Sequence, residues 1–205
     1  MVSKAAQRKA RLDQVRAEQR RRERRSRVII FGVAIAAVAT VVSLVVWAVV
    51  AAPSVSSSST AISGLRTYTG LSRDHTTARV TYPQNPPVGG AHSAVWQNCG
   101  WYDAPIANEN AVHSLEHSAV WVTYRPDLSA ADRATLKSEL DGRTYVLASP
   151  YAGLPGPVVA SAWGKQVVLD GVSDPRLLQF VRAFAGSSTA PEPGGECTGG
   201  TGNPS

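Results

Sequence analysis

AVWVTYRPDLSAADRATLKSELDG, residues 119–142, changes from the pattern of a strand to the pattern of a helix. Its first part is β-branched and aromatic and stops before Pro126, which predicts a strand. Ser129 then begins a helix that continues to about Leu140, because Asp132 follows it at the spacing of a capping box. Leucines at i,i+4 spacing give this helix one apolar face.

The residues that follow continue this mixture of strands and helices. Residues 144–148 (TYVLA) predict a second strand, and residues 157–163 with 166–169 predict a hairpin. A last helix begins near Pro175, since proline is well placed in a first turn, and it ends at Gly186. The order strand, helix, strand, strand, strand, helix predicts an α+β domain: a small, mostly antiparallel sheet with two helices.

Far upstream, residues 28–52 (VIIFGVAIAAVATVVSLVVWAVVAA) contain no charged residue. A helix of about 20 apolar residues crosses a bilayer, so this run predicts one transmembrane helix. Residues 1–27 contain 11 Lys/Arg against three acids. Cations beside a span stay in the cytoplasm, so we expect a single-pass protein of the cell membrane whose C-terminal domain is extracytoplasmic. The alternative, a cleavable signal peptide, usually has a shorter apolar core, of about 7–15 residues.

The positive charge of the chain belongs to this arm. The whole sequence has 21 Lys/Arg and 15 Asp/Glu, so residues 28–205 have 10 (21 − 11) and 12 (15 − 3). The folded part is therefore mildly acidic. We expect no nucleic-acid partner, because the arm has no aromatic residue or motif beyond its charge.

Two segments flank the predicted globular domain, which spans residues 65–186. Residues 53–64 are a Ser-rich linker, and residues 187–205 are a Gly/Pro-rich tail with few apolar residues. An even number of cysteines in an oxidising compartment favours a disulfide, here between Cys99 and Cys197. This bridge would tether the tail to the domain.

Three of the four histidines, His92, His113 and His117, lie close together in the sequence, with Glu116 beside the last of them. On a helix, His113 and His117 would project to one face, whereas on a strand they would be about 13 Å apart. Asparagine at 108 is a plausible N-cap and favours a short helical turn. Neutral imidazoles and a carboxylate suit copper or zinc, so these four residues are the predicted metal ligands. We interpret His75 as a solvated surface residue.

Two other interpretations of the cluster stay open. The histidines can be packed and hydrogen-bonded for the fold alone, with Glu116 holding an imidazole tautomer. Residues 113–117 also match His-x-x-Glu-His, the inverzincin protease signature. We do not adopt it, since no downstream helix offers another glutamate ligand and both Glu192 and Glu196 lie in the tail. We assign no catalytic residue and no organic cofactor, and do not expect an enzyme.

Three motifs together indicate a family. They are Tyr82-Pro83-x-x-Pro86-Pro87-x-x-Gly90-x-His92, Gly100-x-Tyr102 and Val112-His113-x-Leu115-Glu116-His117. In this combination the chain resembles the bacterial "domain of unknown function 3105" family, and the similarity continues through residues 120–126 and 145–163. The actinobacterial members that the chain resembles share its basic arm and single anchor, which implies an actinobacterial cell-envelope protein. The resemblance implies functional positions at His92, Tyr102, His113, Glu116 and His117, but no reaction.

The chain departs from that family at Gly89, where members have serine, and at Ser118, where they have glycine. If the backbone at Ser118 has a positive φ, the serine is strained.

From these patterns we expect a membrane-anchored extracytoplasmic domain that binds a transition metal, either to handle it or to support an envelope metalloprotein. The alternative is a structural or accessory envelope protein that binds another membrane protein and holds no metal.

Overall fold

The computed structural model describes residues 61–205 and the isolated position Ser43. Apart from that serine, the predicted basic arm at 1–27, the predicted transmembrane helix at 28–52 and most of the linker at 53–64 lie outside the described residues. Among the residues that are described, no helix is long and apolar enough to span a membrane.

Six strands and three helices form residues 61–205. In chain order they are β1 (Arg66–Thr67), β2 (Gly100–Trp101), α1 (Asn108–Glu116), β3 (Val120–Tyr124), α2 (Ala130–Leu140), β4 (Val146–Pro150), β5 (Val158–Ala162), β6 (Lys165–Leu169) and α3 (Pro175–Phe184). The α+β class is therefore confirmed. The domain has three helices instead of the predicted two, because α1 is a full helix and not just a turn.

The strands form one sheet in the order β1-β6-β5-β3-β4-β2. The β1/β6, β6/β5 and β5/β3 pairs are antiparallel, whereas β3/β4 and β4/β2 are parallel. The prediction of a mostly antiparallel sheet is confirmed. The parallel β3/β4 pair arises because α2 connects these strands as a crossover helix.

Local sequence explains where the second and third helices begin. Ser129 caps α2 by accepting a hydrogen bond from the Asp132 amide, as predicted. Asp174 caps α3 by accepting one from the Arg176 amide, and Pro175 is the first helical residue. Side-chain oxygens at these positions satisfy amides that have no partner within the helix. β5 and β6 form the predicted hairpin.

The sheet buries apolar side chains on both faces, since successive residues of a strand point to opposite sides. Val120 and Val122 belong to the larger core, which also contains buried residues of α2 and α3. Trp121 points the other way and packs with Ala111 and Leu115 of α1. Helix α1 therefore packs on the face of the sheet opposite to α2 and α3. The side of α1 that points away from the sheet can hold polar residues.

The tail returns to the α1 side of the sheet. Cys99 and Cys197 form a disulfide with their Cα atoms 5.3 Å apart, within the usual range for such a bridge. The Cys99 amide donates to the Cys197 carbonyl, and the Thr201 amide to the Trp96 carbonyl. The tail is thus held by backbone hydrogen bonds as well as by the bridge.

The junction between α1 and β3 has the strain that the sequence predicts. Ser118 has a φ of 77°, a conformation that residues with a Cβ seldom adopt. Its hydroxyl donates to the Ser187 carbonyl, 2.9 Å away, and its own carbonyl accepts from the Gly186 amide.

Candidate metal centre

Helix α1 places two imidazoles side by side. His113 lies in its last turn and His117 directly follows its last residue. Both are buried, and their Nε2 atoms are 3.0 Å apart. The rings meet edge to face, with their centroids 4.5 Å apart.

Backbone carbonyls determine which ring nitrogen carries the proton in three histidines. The Nδ1 atoms of His92, His113 and His117 each contact a carbonyl oxygen, those of Gly90 at 2.8 Å, Ser93 at 2.6 Å and Glu196 at 2.7 Å. A carbonyl oxygen can only accept a hydrogen bond, so Nδ1 must be the donor in each ring. In the neutral imidazoles, Nε2 therefore keeps its lone pair. Metal-bound histidines typically have this arrangement.

His92 reaches the cluster on the loop before β2 and is fully buried. Its Nε2 lies 2.8 Å from Oε2 of Glu116. This contact does not have the geometry of a hydrogen bond, and among the described residues this Nε2 has no hydrogen-bond partner. Arg73 donates from Nε to the other carboxylate oxygen of Glu116, 3.1 Å away. Glu116 thus touches His92 at the edge of the cluster and is neutralised by Arg73.

His75 is an exposed surface residue, as predicted, and it also lies against the cluster. Its side chain is 48% exposed, and its ring stacks on that of His113 with the centroids 5.0 Å apart. The Thr76 amide donates to the His92 carbonyl and the His92 amide to the Asp74 carbonyl, so a short parallel bridge fixes His75 beside His92. The sequence did not indicate this contact, because the pairing joins segments that are distant in the chain.

Glu192 is the second group that sequence reasoning missed. From sequence alone it has no role, because it lies in a tail with few apolar residues. In the structure its amide donates to the Glu116 carbonyl, and its Oε2 is 3.6 Å from Nε2 of His117. The spacing of the cysteines is the only sequence signal that brings this tail near the histidines.

A close glycine contact keeps the tail against the cluster. A Cβ on Gly195 would lie 2.5 Å from Cγ and 2.6 Å from Cδ2 of His117. Only glycine therefore lets the backbone pass so close to this imidazole. Trp96 covers the same region, with its ring centroid 5.2 Å from that of His117.

Two groups of side chains have the spacing of metal ligands: His75, His92 and His113, and His113, His117 and Glu192. Within each group the ligand atoms lie within 4.8 Å of one another. Of the predicted ligands His92, His113, Glu116 and His117, the three histidines belong to these groups. Glu116 is in neither group and contacts His92 from beside it.

The electrostatics of the cluster favour neutral imidazole at its centre. Burial lowers the pKa of His113, the three neighbouring imidazoles lower it further, and the hydrogen bond to Ser93 raises it. Desolvation disfavours the charged form of a histidine. The lone pair of His113 is therefore retained at neutral pH.

The argument against the protease interpretation now concerns Glu116, the residue that would be the base, and no longer the lack of a third ligand. Glu192 lies beside His113 and His117 at the spacing of a third ligand, which the sequence alone did not offer. Glu116, which would be the general base of a His-x-x-Glu-His protease, is only 1% exposed and is paired with Arg73. Among the described residues the arrangement therefore resembles a binding site more than the centre of such a hydrolase.

Tyr102, the remaining position implied by the family resemblance, has a supporting role. Its side chain is buried, and burial raises the pKa of its hydroxyl. The hydroxyl donates to the Asn98 carbonyl, 2.8 Å away, in the residue before the disulfide. It fixes the loop that receives the tail.

Comparisons with known proteins agree with the resemblance. The profile of DUF3105, described as "Protein of unknown function (DUF3105)", matches residues 74–199, which contain both groups of side chains. A second profile, described as "Inhibitor of host cell division protein domain", matches residues 6–65, a minor part of the chain. No curated protein and no solved structure matches the chain. The chain belongs to the DUF3105 family of proteins of unknown function.

Proposed function

We propose that the chain is a transition-metal-binding protein whose histidine cluster holds copper or zinc on the outer side of a cell membrane. The observation that carries this proposal is the pair of Nε2 atoms in His113 and His117. Both rings donate from Nδ1 to carbonyl oxygens, so in the neutral state two nitrogens that each keep a lone pair lie 3.0 Å apart. A cation or a shared proton beside both nitrogens would relieve the repulsion between them.

A metal ion fits the dimensions of this pair. Zinc binds imidazole nitrogen at about 2.0–2.1 Å, and two ligands of a tetrahedral site are then about 3.3–3.4 Å apart. Widening the contact between His113 and His117 by a few tenths of an ångström reaches that value. Glu192 is positioned to be the third ligand, leaving a fourth position open.

The chemistry of the ligands favours copper or zinc over other ions. Magnesium and calcium prefer oxygen ligands, whereas imidazole suits copper and zinc. Trp96 also covers the site with an indole face, which screens it from water on one side. The role we propose is handling of the ion: holding it and passing it to an envelope metalloprotein.

The membrane location is proposed from the sequence and from the bridge. Residues 28–52 are uncharged and follow a basic arm, and a disulfide between Cys99 and Cys197 is typical of a domain outside the cytoplasm. The intact chain should stay in the membrane fraction after an alkaline wash, and protease added to intact spheroplasts should remove its domain. Release of the intact chain by the wash, or protection of the domain from the protease, would contradict this location.

The metal proposal is tested by loading the full chain with zinc or copper, purified in detergent without chelators. Mass spectrometry should find about one equivalent of metal per chain, and this should be lost in a His113→Ala variant that still unfolds cooperatively. Glu139→Gln, which removes a carboxylate of α2 outside the cluster, is the control and should bind like the wild type. A folded wild-type chain that takes up neither ion would overturn the proposal.

The alternative function is a structural or accessory protein in which the cluster serves only the fold. The separation of 3.0 Å between the two Nε2 atoms also suits a hydrogen bond with one shared proton. In that case Cu(II) would leave the tryptophan fluorescence unchanged, and the chain would co-purify with a membrane protein partner after gentle solubilisation.

A further inference from the structure

The two groups of potential ligands meet at a single residue. His75, His92 and His113 form one group, which we call the loop position, and His113, His117 and Glu192 form the other, which we call the tail position. His113 belongs to both. Its Nδ1 donates to the Ser93 carbonyl, so it has only one lone pair to offer an ion.

We propose that the cluster binds one ion at a time in either of these two positions, and that His113 passes the ion between them. This inference rests on the proposed metal binding. Because His113 has one free lone pair and its Nδ1 is engaged, it cannot bridge two ions as an imidazolate. Occupation of the loop position and of the tail position is therefore mutually exclusive.

The loop position contains a buried nitrogen without a partner. Nε2 of His92 is fully buried and, within residues 61–205, has no hydrogen-bond partner. It lies 2.8 Å from a carboxylate oxygen of Glu116. With its proton on Nδ1, this buried nitrogen keeps a lone pair that no donor among these residues satisfies. An ion bound by His92 would lie near the carboxylate of Glu116, whose charge is shared with Arg73.

The two positions match in chemistry, as transfer requires. An ion moves readily between two positions only when their free energies are similar. The loop position offers imidazoles with the carboxylate of Glu116 beside them, and the tail position offers imidazoles with the carboxylate of Glu192. Each therefore combines imidazole nitrogens with a carboxylate, which is a ligand at the tail position and a neighbour paired with Arg73 at the loop position. Imidazole and carboxylate suit zinc and copper.

Each position also has an end that reaches solvent. The side chain of His75 is 48% exposed and that of Glu192 is 52% exposed, whereas His92, His113 and His117 are buried. The ring of His75 stacks parallel to that of His113, so it must turn about its side-chain bonds to ligate, and its exposure leaves room for this. An ion can therefore enter at one end and leave at the other.

Variants at the two exposed ends test the inference. His75→Asn and Glu192→Gln each remove one ligand without removing a buried group, so both should fold. The full chain and both variants are loaded with Cu(II), and bound copper and its electron paramagnetic resonance spectrum are measured. The wild type should bind one equivalent. Each variant should also bind one equivalent, but the two should give different spectra, since copper is confined to the tail position in His75→Asn and to the loop position in Glu192→Gln.

The outcomes separate this inference from the proposed function. Two equivalents bound at once by the wild type, a folded single variant that binds no copper, or identical spectra in the two variants would each overturn the two-position path while leaving metal binding intact. A wild type that binds no copper would instead overturn the proposed function itself. Thermal unfolding of each variant without metal provides the check on folding.

Discussion

The imidazole of His117 lies directly beneath the backbone of Gly195, and its Nδ1 donates a hydrogen bond to the carbonyl of the next residue, Glu196. A residue of α1 is thus oriented by a segment that comes from the far end of the chain. Since the same segment brings Glu192 within 3.6 Å of Nε2 of His117, the tail orients one ligand and supplies another.

A methyl group at Gly195 should disturb the metal site without unfolding the domain. Its Cβ would lie 2.5 Å from the ring of His117, so either the ring or the tail must shift. Loss of groups that orient a metal ligand typically lowers metal affinity by about 10–100-fold, so in the His75→Asn background, which confines the ion to the tail position, we expect Gly195→Ala to weaken zinc binding by at least about tenfold. Competition with a chelator measures this.

Gly171 provides the matched control for that substitution. A Cβ there meets nothing within 4 Å, so Gly171→Ala in the same background should bind zinc with the affinity of His75→Asn alone. Equal affinity of Gly195→Ala and Gly171→Ala would mean that the contact between Gly195 and His117 does not orient a ligand.

Removing the disulfide should weaken both the fold and the site. The bridge spans 98 positions of sequence, and closing a loop of that size is worth at most about 4–5 kcal/mol in the chain-entropy model. The double variant Cys99→Ser, Cys197→Ser should therefore unfold at lower denaturant concentration. In the His75→Asn background it should also lose zinc affinity, because Glu192 and the Glu196 carbonyl are no longer held. A phosphine reductant, which does not chelate zinc as a dithiol does, should have the same effect on the His75→Asn chain.

The same reductant applied to the double variant is the control and should change nothing. Undiminished zinc affinity in a folded, fully reduced His75→Asn chain would show that the tail positions no ligand.

Ser118 should show the cost of a positive φ. Ser118→Gly and Ser118→Ala both lose the hydrogen bond to the Ser187 carbonyl, so comparing them isolates the backbone. Alanine in a left-handed conformation costs about 1 kcal/mol or more relative to glycine. Equilibrium unfolding should therefore find Ser118→Gly the more stable variant by roughly that amount; equal stability would contradict the φ of 77°.

Asp174 should make stability depend on pH in the acid range. Its hydrogen bonds to the Arg176 guanidinium hold the pKa of the carboxyl well below its usual range, and only 7% of this side chain is exposed. A carboxyl whose pKa is lower in the folded state stabilises the fold above its unfolded pKa of about 3.9, and the stabilisation is lost as the pH falls below that value. Chemical denaturation measured from about pH 7 down to about pH 3 should show this loss of stability as the pH falls.

Two substitutions at this position separate charge from capping. Asp174→Asn keeps an oxygen that can cap α3 and should flatten the pH dependence, whereas Asp174→Ala should also lose the cap, worth about 0.5–2 kcal/mol. An unchanged acid profile in Asp174→Asn would assign the loss of stability to another group.

The sequence predicts those parts of the fold that depend on neighbouring residues. The capping of α2 by Ser129, the hairpin and the start of α3 at Pro175 all follow from residues within a few positions of one another. The length of α1 is harder to predict, because Ala107 precedes it without a side-chain cap and the helix is stabilised mainly by packing on Trp121.

The site is only partly predictable for a similar reason. His113 and His117 are neighbours through one helical turn, which the spacing already indicates. His75 and Glu192 join them through a strand bridge and through the folded-back tail, and these are contacts between distant segments. No local pattern encodes such contacts, so a half-exposed histidine and a tail glutamate look like ordinary surface residues until the fold is known.

X-ray absorption at the zinc edge of the full chain, loaded with one equivalent of zinc, tests metal binding by the histidine cluster most directly. We predict nitrogen and oxygen ligands at about 2.0–2.1 Å, with the multiple scattering of at least two imidazoles, and loss of that scattering in His113→Ala. A first shell of oxygen alone, without imidazole scattering, would contradict the assignment of this cluster as a metal centre.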